Sequence, residues 1–457
     1  MSEVKLPEGW AHTSLKEIAS WGSGGTPSRK NPEYYGGNIP WVKTGDLGPK
    51  VITQTSEYIT DIAVKKSSTK IFPKNSVAMA MYGATIGKTS ILGINATTNQ
   101  ACAVGIPTEG ATTSNFLYYF LNNEKNTFIS KGKGGAQPNI SQSLIKDHCI
   151  FLPPFEEQKL IVKKLDTLLT QVDSIKSRIE KIPLILKKIR QSVLAAAVSG
   201  KLTEDWRKNN PTTPIDYNQA ITDSNFKIKA KILDKIEQKG NWLSCNIGHI
   251  FSVKSGDGLT TDKMRPAGKI PVYGGNGING LHSVANIHDP TIIIGRVGFY
   301  CGSVHLTKGQ AWITDNALIV SYLTGLVSSE YAYILLKATD LRKNMSSSAQ
   351  PLISGSKIYP IKIELPPLAE QTEIVRRVEQ LFAYADGVEK QVNNALERVN
   401  NLTQSILAKA FRGELTEQWR KENPELISGE NSAEALLARI KAEQAAQQPQ
   451  KKTRKKA

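Results

Sequence analysis

The phrase KLTEDWRKNNP (201–211) is written a second time as ELTEQWRKENP (414–424), 213 residues further on. Working backwards from it, the register holds without a gap across 136–211 and 349–424, where 31 of 76 positions are identical. A copy that long is an internal duplication, and a period of 213 residues is too long for a solenoid unit. The chain is therefore expected to be a tandem pair of large modules.

Upstream of each phrase runs the same apolar rhythm. Ile161, Leu165, Leu168, Val172, Ile175, Ile179, Ile182, Leu186, Ile189 and Val193 are spaced four, three, four, three. Ile374, Val378, Leu381, Ala385, Val388, Val392, Ala395, Val399, Leu402 and Ile406 follow the same rule in the copy. A 3.5-residue repeat predicts a helix that buries one narrow stripe against another helix. Two such stripes in one chain predict an intramolecular pair; the alternative is that each helix covers its own globular domain, for which a two-position stripe is narrow. Pro183 lies inside the first stripe, where a missing N–H predicts a kink or loosening, and Leu396 holds the matching place in the second. Both helices are expected to start after a Pro-Pro pair, at LPPFEEQ and LPPLAEQ, and to end near Gly200 and Gly413.

Before each helix the pattern is different. Residues 1–150 and 212–364 are broken into short β-type runs, such as SVAMAMYG, KTSILGI, ACAVGI, PTIIIG and NALIVSY, separated by turn residues. The expected class is α+β. The expected order is a sheet-containing domain (1–154), a helix region (155–211), a second such domain (212–364), a second helix region (365–428), and a helical then basic, disordered tail (429–457).

At 457 residues there is enough chain for two or three cores. Lys and Arg outnumber Asp and Glu by 58 to 41, and the +17 charge points to a polyanionic partner. The surplus is duplicated with the sequence, since residues 1–150 carry 15 basic and 10 acidic groups and residues 212–364 carry 16 and 11. Cys102, Cys149, Cys245 and Cys301 show no short paired spacing and no signal peptide opens the chain, so a reducing, cytoplasmic setting is expected. No apolar run approaches the roughly 20 residues a bilayer requires.

If the stripes pair antiparallel, an approximate two-fold axis relates the copies and sets the domains at opposite ends of a rod. Ten stripe positions make a rod of about 50 Å at about 1.5 Å per residue. Duplex DNA repeats along one face every ~34 Å, so two basic domains so separated suit two half-sites with an unread spacer. Since the two domains differ in sequence, the half-sites should differ too.

The chain closely resembles, from end to end, the DNA-specificity subunit of type I restriction–modification systems. The resemblance is carried by LPEGW, IPWVKTGDL and TNQACAVGI in the first block, and by IPVYGGNGING, TIIIGRVGFYCGSV and TDNALIV in the second. Both LPP…EQ helix starts and AKAFRGELTEQWRKENP add to it. The long segments look most like the type IA subfamily. The resemblance implies two target-recognition domains, a split asymmetric DNA target and no active site. It also implies that the helices serve as a ruler and as docking surface for two methyltransferase (modification) subunits. Motor-nuclease (restriction) subunits complete the complex. S-adenosylmethionine, ATP and Mg²⁺ then belong to those partners, with no cofactor in this chain.

Apparent catalytic patterns do not survive inspection. LPPF (152–155) resembles the Asn/Asp-Pro-Pro-aromatic signature of adenine methyltransferases, but Leu152 cannot accept a hydrogen bond from an adenine, and Leu365 fails likewise. GNGING (275–280) fits the dinucleotide fingerprint G-x-G-x-x-G without the helix that must follow, so a turn is expected. Ser67 with Lys70 and Ser143 with Lys146 lack the companion motifs of the acyl-enzyme class, and the six histidines show no zinc spacing.

The DNA-contact candidates are polar side chains on glycine-rich loops, able to meet base edges or phosphates. In the first domain they are Arg29, Lys30, Lys43, Thr44, Lys88, Lys131, Lys133, Gln137 and Asn139. In the second they are Arg265, Asn276, Asn279, Arg296, Arg342, Lys343, Ser348 and Gln350. For any single lysine a solvated surface position is the plainer reading, and for Gln137 and Gln350 a turn hydrogen bond in the repeated AQP. Trp206 and Trp419 are expected to pack rather than stack on bases. A rival reading of the whole is a coiled-coil adaptor that touches DNA only through general charge.

Overall fold

The computed structural model describes residues 6–132, 139–224, 226–227, 234–265, 267–344 and 351–447. Candidates Lys133, Gln137, Ser348 and Gln350, and the basic run KKTRKK, lie outside the described residues. The chain forms two compact units, 1–179 with 395–457, and 180–394. Each is α+β.

In the first unit the strand Ala11–Ser14 pairs antiparallel with Cys149–Leu152, so the domain's start and end close on each other. Between them lies a five-stranded sheet in the order Ala19–Ser23, Cys102–Pro107, Val77–Ala80, Thr89–Leu92, Val51–Ile52. Beside it is a four-stranded sheet in which Tyr35–Val42 pairs parallel with Ala96–Thr98. The second unit repeats the scheme: Trp242–Asn246 pairs with Lys362–Leu365, Ala317–Tyr322 pairs with Ile292–Gly295, and Ile270–Gly274 runs parallel to Trp312–Ile313. Apolar runs are buried on both faces at their centres, as at Ile292–Gly295, because a helix or second sheet covers each side. Each domain also carries a ten-residue helix that the β-type runs do not predict. Ser114–Asn123 and Ser329–Ala338 are each capped by a hydroxyl, from Thr113 and Ser328, and each buries five residues in its unit's core.

The first apolar stripe forms two helices, Phe155–Ile179 and Ile182–Val198, separated at Glu180 and Lys181. Pro183 sits in the first turn of the second piece, having no N–H to bond the carbonyl four residues back. The copy, with Leu396 in that place, is one helix of 44 residues, Leu368–Phe411. Gly200 and Gly413 follow the helix ends in the left-handed region, at φ +74° and +77°, as glycine does at a helix C-terminus.

Pairing is antiparallel within each unit. In the first, Lys164 Nζ donates to the Leu415 carbonyl at 2.7 Å, and in the second Arg377 Nη1 donates to the Leu202 carbonyl at 2.7 Å. Ile161, Leu165 and Val172 are buried in the first unit's core with Leu168 packed partly against it; Val399 packs there too. Ile374, Val378 and Val392 are buried in the second unit. Ile179 and Val388 are half-buried. Ile175 and Leu381 remain 48% and 39% exposed. A two-helix pair covers one line of each helix deeply and leaves the flanking line at its rim, and these two lie on the rim.

At each helix start a carboxylate is fully buried. Glu157 accepts from Trp10 Nε1 at 2.8 Å, from Thr416 Oγ1 at 2.6 Å and from Arg420 Nη1. Glu370 accepts from Trp242 Nε1 at 2.8 Å, Thr203 Oγ1 at 2.7 Å and Arg207 Nη2 at 2.8 Å. The repeated phrase thus supplies a Thr and an Arg that clasp the glutamate of the other helix. Burial pushes the Glu157 carboxyl up, while Thr416, Arg420 and Trp10 pull it down. The next residue is also buried in both copies: Gln158 Nε2 donates to the Ala111 carbonyl at 3.0 Å and Gln371 Nε2 to that of Leu326 at 2.7 Å. Trp206 and Trp419 are half-buried.

Candidate nucleic-acid interface

In each domain two adjacent antiparallel strands of the larger sheet are joined by a loop of the same build. Gly87 N–H bonds the Ala80 carbonyl at 2.9 Å and Gly302 N–H that of Gly295 at 2.8 Å; Ile86 N–H bonds Gly83 and Cys301 N–H bonds Gly298. Gly83 and Gly87 have φ +70° and +75°, and Gly298 and Gly302 have +74° and +83°. An L side chain at these four places would be strained, which fixes the glycine spacing.

The loops carry different side chains on that shared frame. Lys88 is exposed at the end of the first. The second holds Arg296, Phe299 and Tyr300 where the first has Met81, Ala84 and Thr85. Both loops also receive the segment that follows AQP, since Ile140 N–H bonds the Met81 carbonyl at 2.9 Å and Ile353 N–H that of Arg296 at 2.8 Å. Two candidate regions far apart in sequence are therefore neighbours. Asn139 is exposed at this junction.

The guanidinium groups of the second domain brace this loop. Arg342 donates through Nε to the Cys301 carbonyl at 2.6 Å and through Nη2 to that of Phe299 at 3.0 Å. Arg296 donates through Nη1 to Ser255 Oγ at 3.1 Å and to the Asp315 carbonyl at 3.3 Å. Among the described residues neither forms a side-chain ion pair. Asn276 stands in the two-residue turn between the strands Ile270–Gly274 and Gly277–His282, and Asn279 lies exposed on the latter. A strand, not a helix, follows GNGING; it is a hairpin. Arg265 and Lys343 are exposed without side-chain hydrogen bonds among the described residues.

In the first domain Arg29 is engaged by Glu57 through two hydrogen bonds, 2.9 and 2.8 Å, and lies 4.2 Å over the Tyr35 ring. Lys43 reaches the same carboxylate at 3.2 Å. The hydrogen bond from Arg29, with Lys43 beside it, holds the Glu57 carboxyl below the usual carboxylate range. Thr44 sits half-buried in a turn closed by Asp46, whose carboxylate accepts from the Lys43 N–H at 2.8 Å. Lys30, Lys88 and Lys131 are exposed and make no side-chain ion pair among the described residues.

Leu152 and Leu365 are fully buried strand ends. Among the described residues no group of three or more His, Cys, Asp or Glu could hold a metal ion, and no helix is long and apolar enough to cross a membrane.

The model of the type I restriction modification DNA specificity domain matches residues 7–184 and 239–398, one match per sheet-rich domain and adjoining helix. The chain is 38% identical over 480 residues to the type I restriction enzyme EcoKI specificity subunit of Escherichia coli strain K12, covering 100% of both. It is 40% identical over 358 residues to the EcoDI specificity subunit of Escherichia coli, covering 75% of this chain and 79% of that one. A chain from a solved type I R-M system superposes with a TM-score of 0.66 over 90% of this chain and 99% of its own, at 17% identity, a likeness of fold. Together these matches place the chain in the family of type I restriction–modification DNA specificity subunits.

Proposed function

We propose that this chain is the non-catalytic sequence reader of a type I restriction–modification complex, with each sheet-rich domain reading one part of an asymmetric, two-part DNA target. The observation that carries the reading is the pair of loops 80–88 and 295–303, equal in backbone and unlike in side chains. A shared frame presents different groups, as two readers of different half-sites require. The contact residues are the polar loop candidates of each domain, Asn139, Asn276, Asn279 and Arg265 among them. The long helices set the interval between the readers and offer docking surface to two methyltransferase subunits. The exposed Ile175, Leu381 and Leu402 support that docking role, since apolar side chains left in water favour a covering partner. Motor-nuclease subunits join in the restricting form; S-adenosylmethionine, ATP and Mg²⁺ act in the partners, and the assembly works in the cytoplasm.

The test is competition at near-physiological salt. The target is first mapped from methylated adenines in the host genome. A duplex carrying it should then displace labelled target far more effectively than a scrambled duplex, because charge-driven binding has no sequence preference and fades steeply with salt. Equal competition would leave a charge-only adaptor as the better account. Methyl transfer by the purified chain alone would overturn the non-catalytic assignment.

A further inference from the structure

Phe299 is 84% exposed, the most exposed of the large hydrophobic side chains among the described residues. Water-facing phenyl rings are costly, and this one is not merely left over at a frayed end. It stands on a loop whose two carbonyls, Phe299 and Cys301, are both held by Arg342. The glycines on either side, Gly298 and Gly302, fix the backbone, and the Gly302 position packs against the Arg342 stem. The Tyr300 ring, itself 44% exposed, meets the Phe299 ring edge to face at 5.1 Å between centroids. The backbone that carries the phenyl is thus held in place, so less ordering is left to be done at the loop when a partner arrives.

The surroundings choose the partner. Among the described residues neither Arg296 nor Arg342 forms an ion pair, and two cations beside the loop favour a polyanion over a purely apolar protein groove. An exposed aromatic ring on a loop braced by one guanidinium and begun by another has the chemistry to stack on a nucleobase while the cations attract adjacent phosphates. We propose that Phe299 is a specificity-determining wedge of the second domain, inserting its ring against a base step of the second half-site, with Tyr300 backing it. The first domain has Ala84 and Thr85 in these places and reads its half-site without such a wedge. This rests on the reader role proposed above and adds that the two readers work by different physical means.

The experiment uses the full chain with its methyltransferase partner and duplexes carrying the mapped target, with 2-aminopurine placed singly at each adenine-compatible step. Apart from any adenine that the methyltransferase itself extrudes, wild type should unstack one step, seen as a local fluorescence rise, in the second half-site and none in the first. Phe299→Ala should abolish that signal and weaken target binding about tenfold or more, and Phe299→Trp should restore both. Because the side chain is exposed, the thermal midpoint of Phe299→Ala should match wild type. Discrimination by wild type with signal and affinity unchanged in Phe299→Ala overturns the wedge alone. Loss of partner assembly instead of DNA affinity assigns the loop to a protein contact and overturns it as well. Failure of wild type to prefer the target over a scrambled duplex overturns the reader role itself.

Discussion

Trp10 donates its indole N–H to Glu157 at 2.8 Å across 147 residues of chain, joining the domain's first strand to the start of the long helix that leaves it. The same carboxylate takes Arg420 and Thr416 from beyond the end of the other long helix. Three remote segments meet on one side chain. Glu157→Ala strands a guanidinium and an indole N–H, a loss of about 3–5 kcal/mol for a buried pair broken on one side. Hydrogen exchange should quicken at Ala11–Ser14 and leave Trp242–Asn246 as in wild type, while Glu370→Ala should do the reverse. Equal protection in both mutants would refute the local clasp.

Glu57 neutralises two of the candidate DNA contacts of the first domain, Arg29 and Lys43. Replacing it by Gln releases both cations. Binding to a random duplex at low salt should strengthen, and the slope of log affinity against log salt should steepen by about one to two, counting one per phosphate newly met. An unchanged slope would place Arg29 and Lys43 away from DNA.

Pro183→Leu copies the residue of the unbroken helix into the broken one. The missing N–H returns, and the amides of 180–184 should gain protection while limited proteolysis at Glu180–Lys181 slows. Persisting cleavage at wild-type rate would show that the break has another cause.

Glu373, hydrogen-bonded by Arg376 at 2.7 Å and Arg377 at 2.6 Å, is pulled down to about 2, chiefly by the hydrogen bond from Arg376. A carboxyl whose folded value lies below its unfolded value stabilises the fold above about pH 4.5, and that stabilisation drains away as pH falls towards 2. Glu373→Gln should flatten the acid limb of the stability profile in that window, lowering stability by a constant amount above about pH 5 and converging on wild type as pH falls towards 2. A parallel shift at all pH values would sink this assignment.

Sequence made the strands, the antiparallel stripe and the Pro183 break legible, because each depends on neighbours within a few residues. SVAMAMYG became Val77–Ala80 and NALIVSY became Ala317–Tyr322. The GNGING turn was readable from its missing helix. The clasp at Glu157 was not, although the identity of Glu157 with Glu370, Thr203 with Thr416 and Arg207 with Arg420 was a signal in plain view. Charge type alone does not tell what a loop arginine is already bonded to: the Arg342 fork is occupied by two carbonyls 41 and 43 residues away. The exposure of Phe299 is not legible in sequence, because an apolar residue in a β-rich block has the pattern of a core residue.

Arg420 lies 263 residues downstream of the glutamate it completes. At about 5–20 residues per second, a ribosome delivers it roughly 13–50 seconds after Glu157 has emerged. Throughout that interval the amino-terminal domain holds a carboxylate answered by Trp10 alone, while residues 180–394 can already finish their own unit. Biogenesis should therefore run from the middle of the polypeptide outwards, and arrested nascent chains ending before Arg420 should show protease-resistant 180–394 and a still labile first domain.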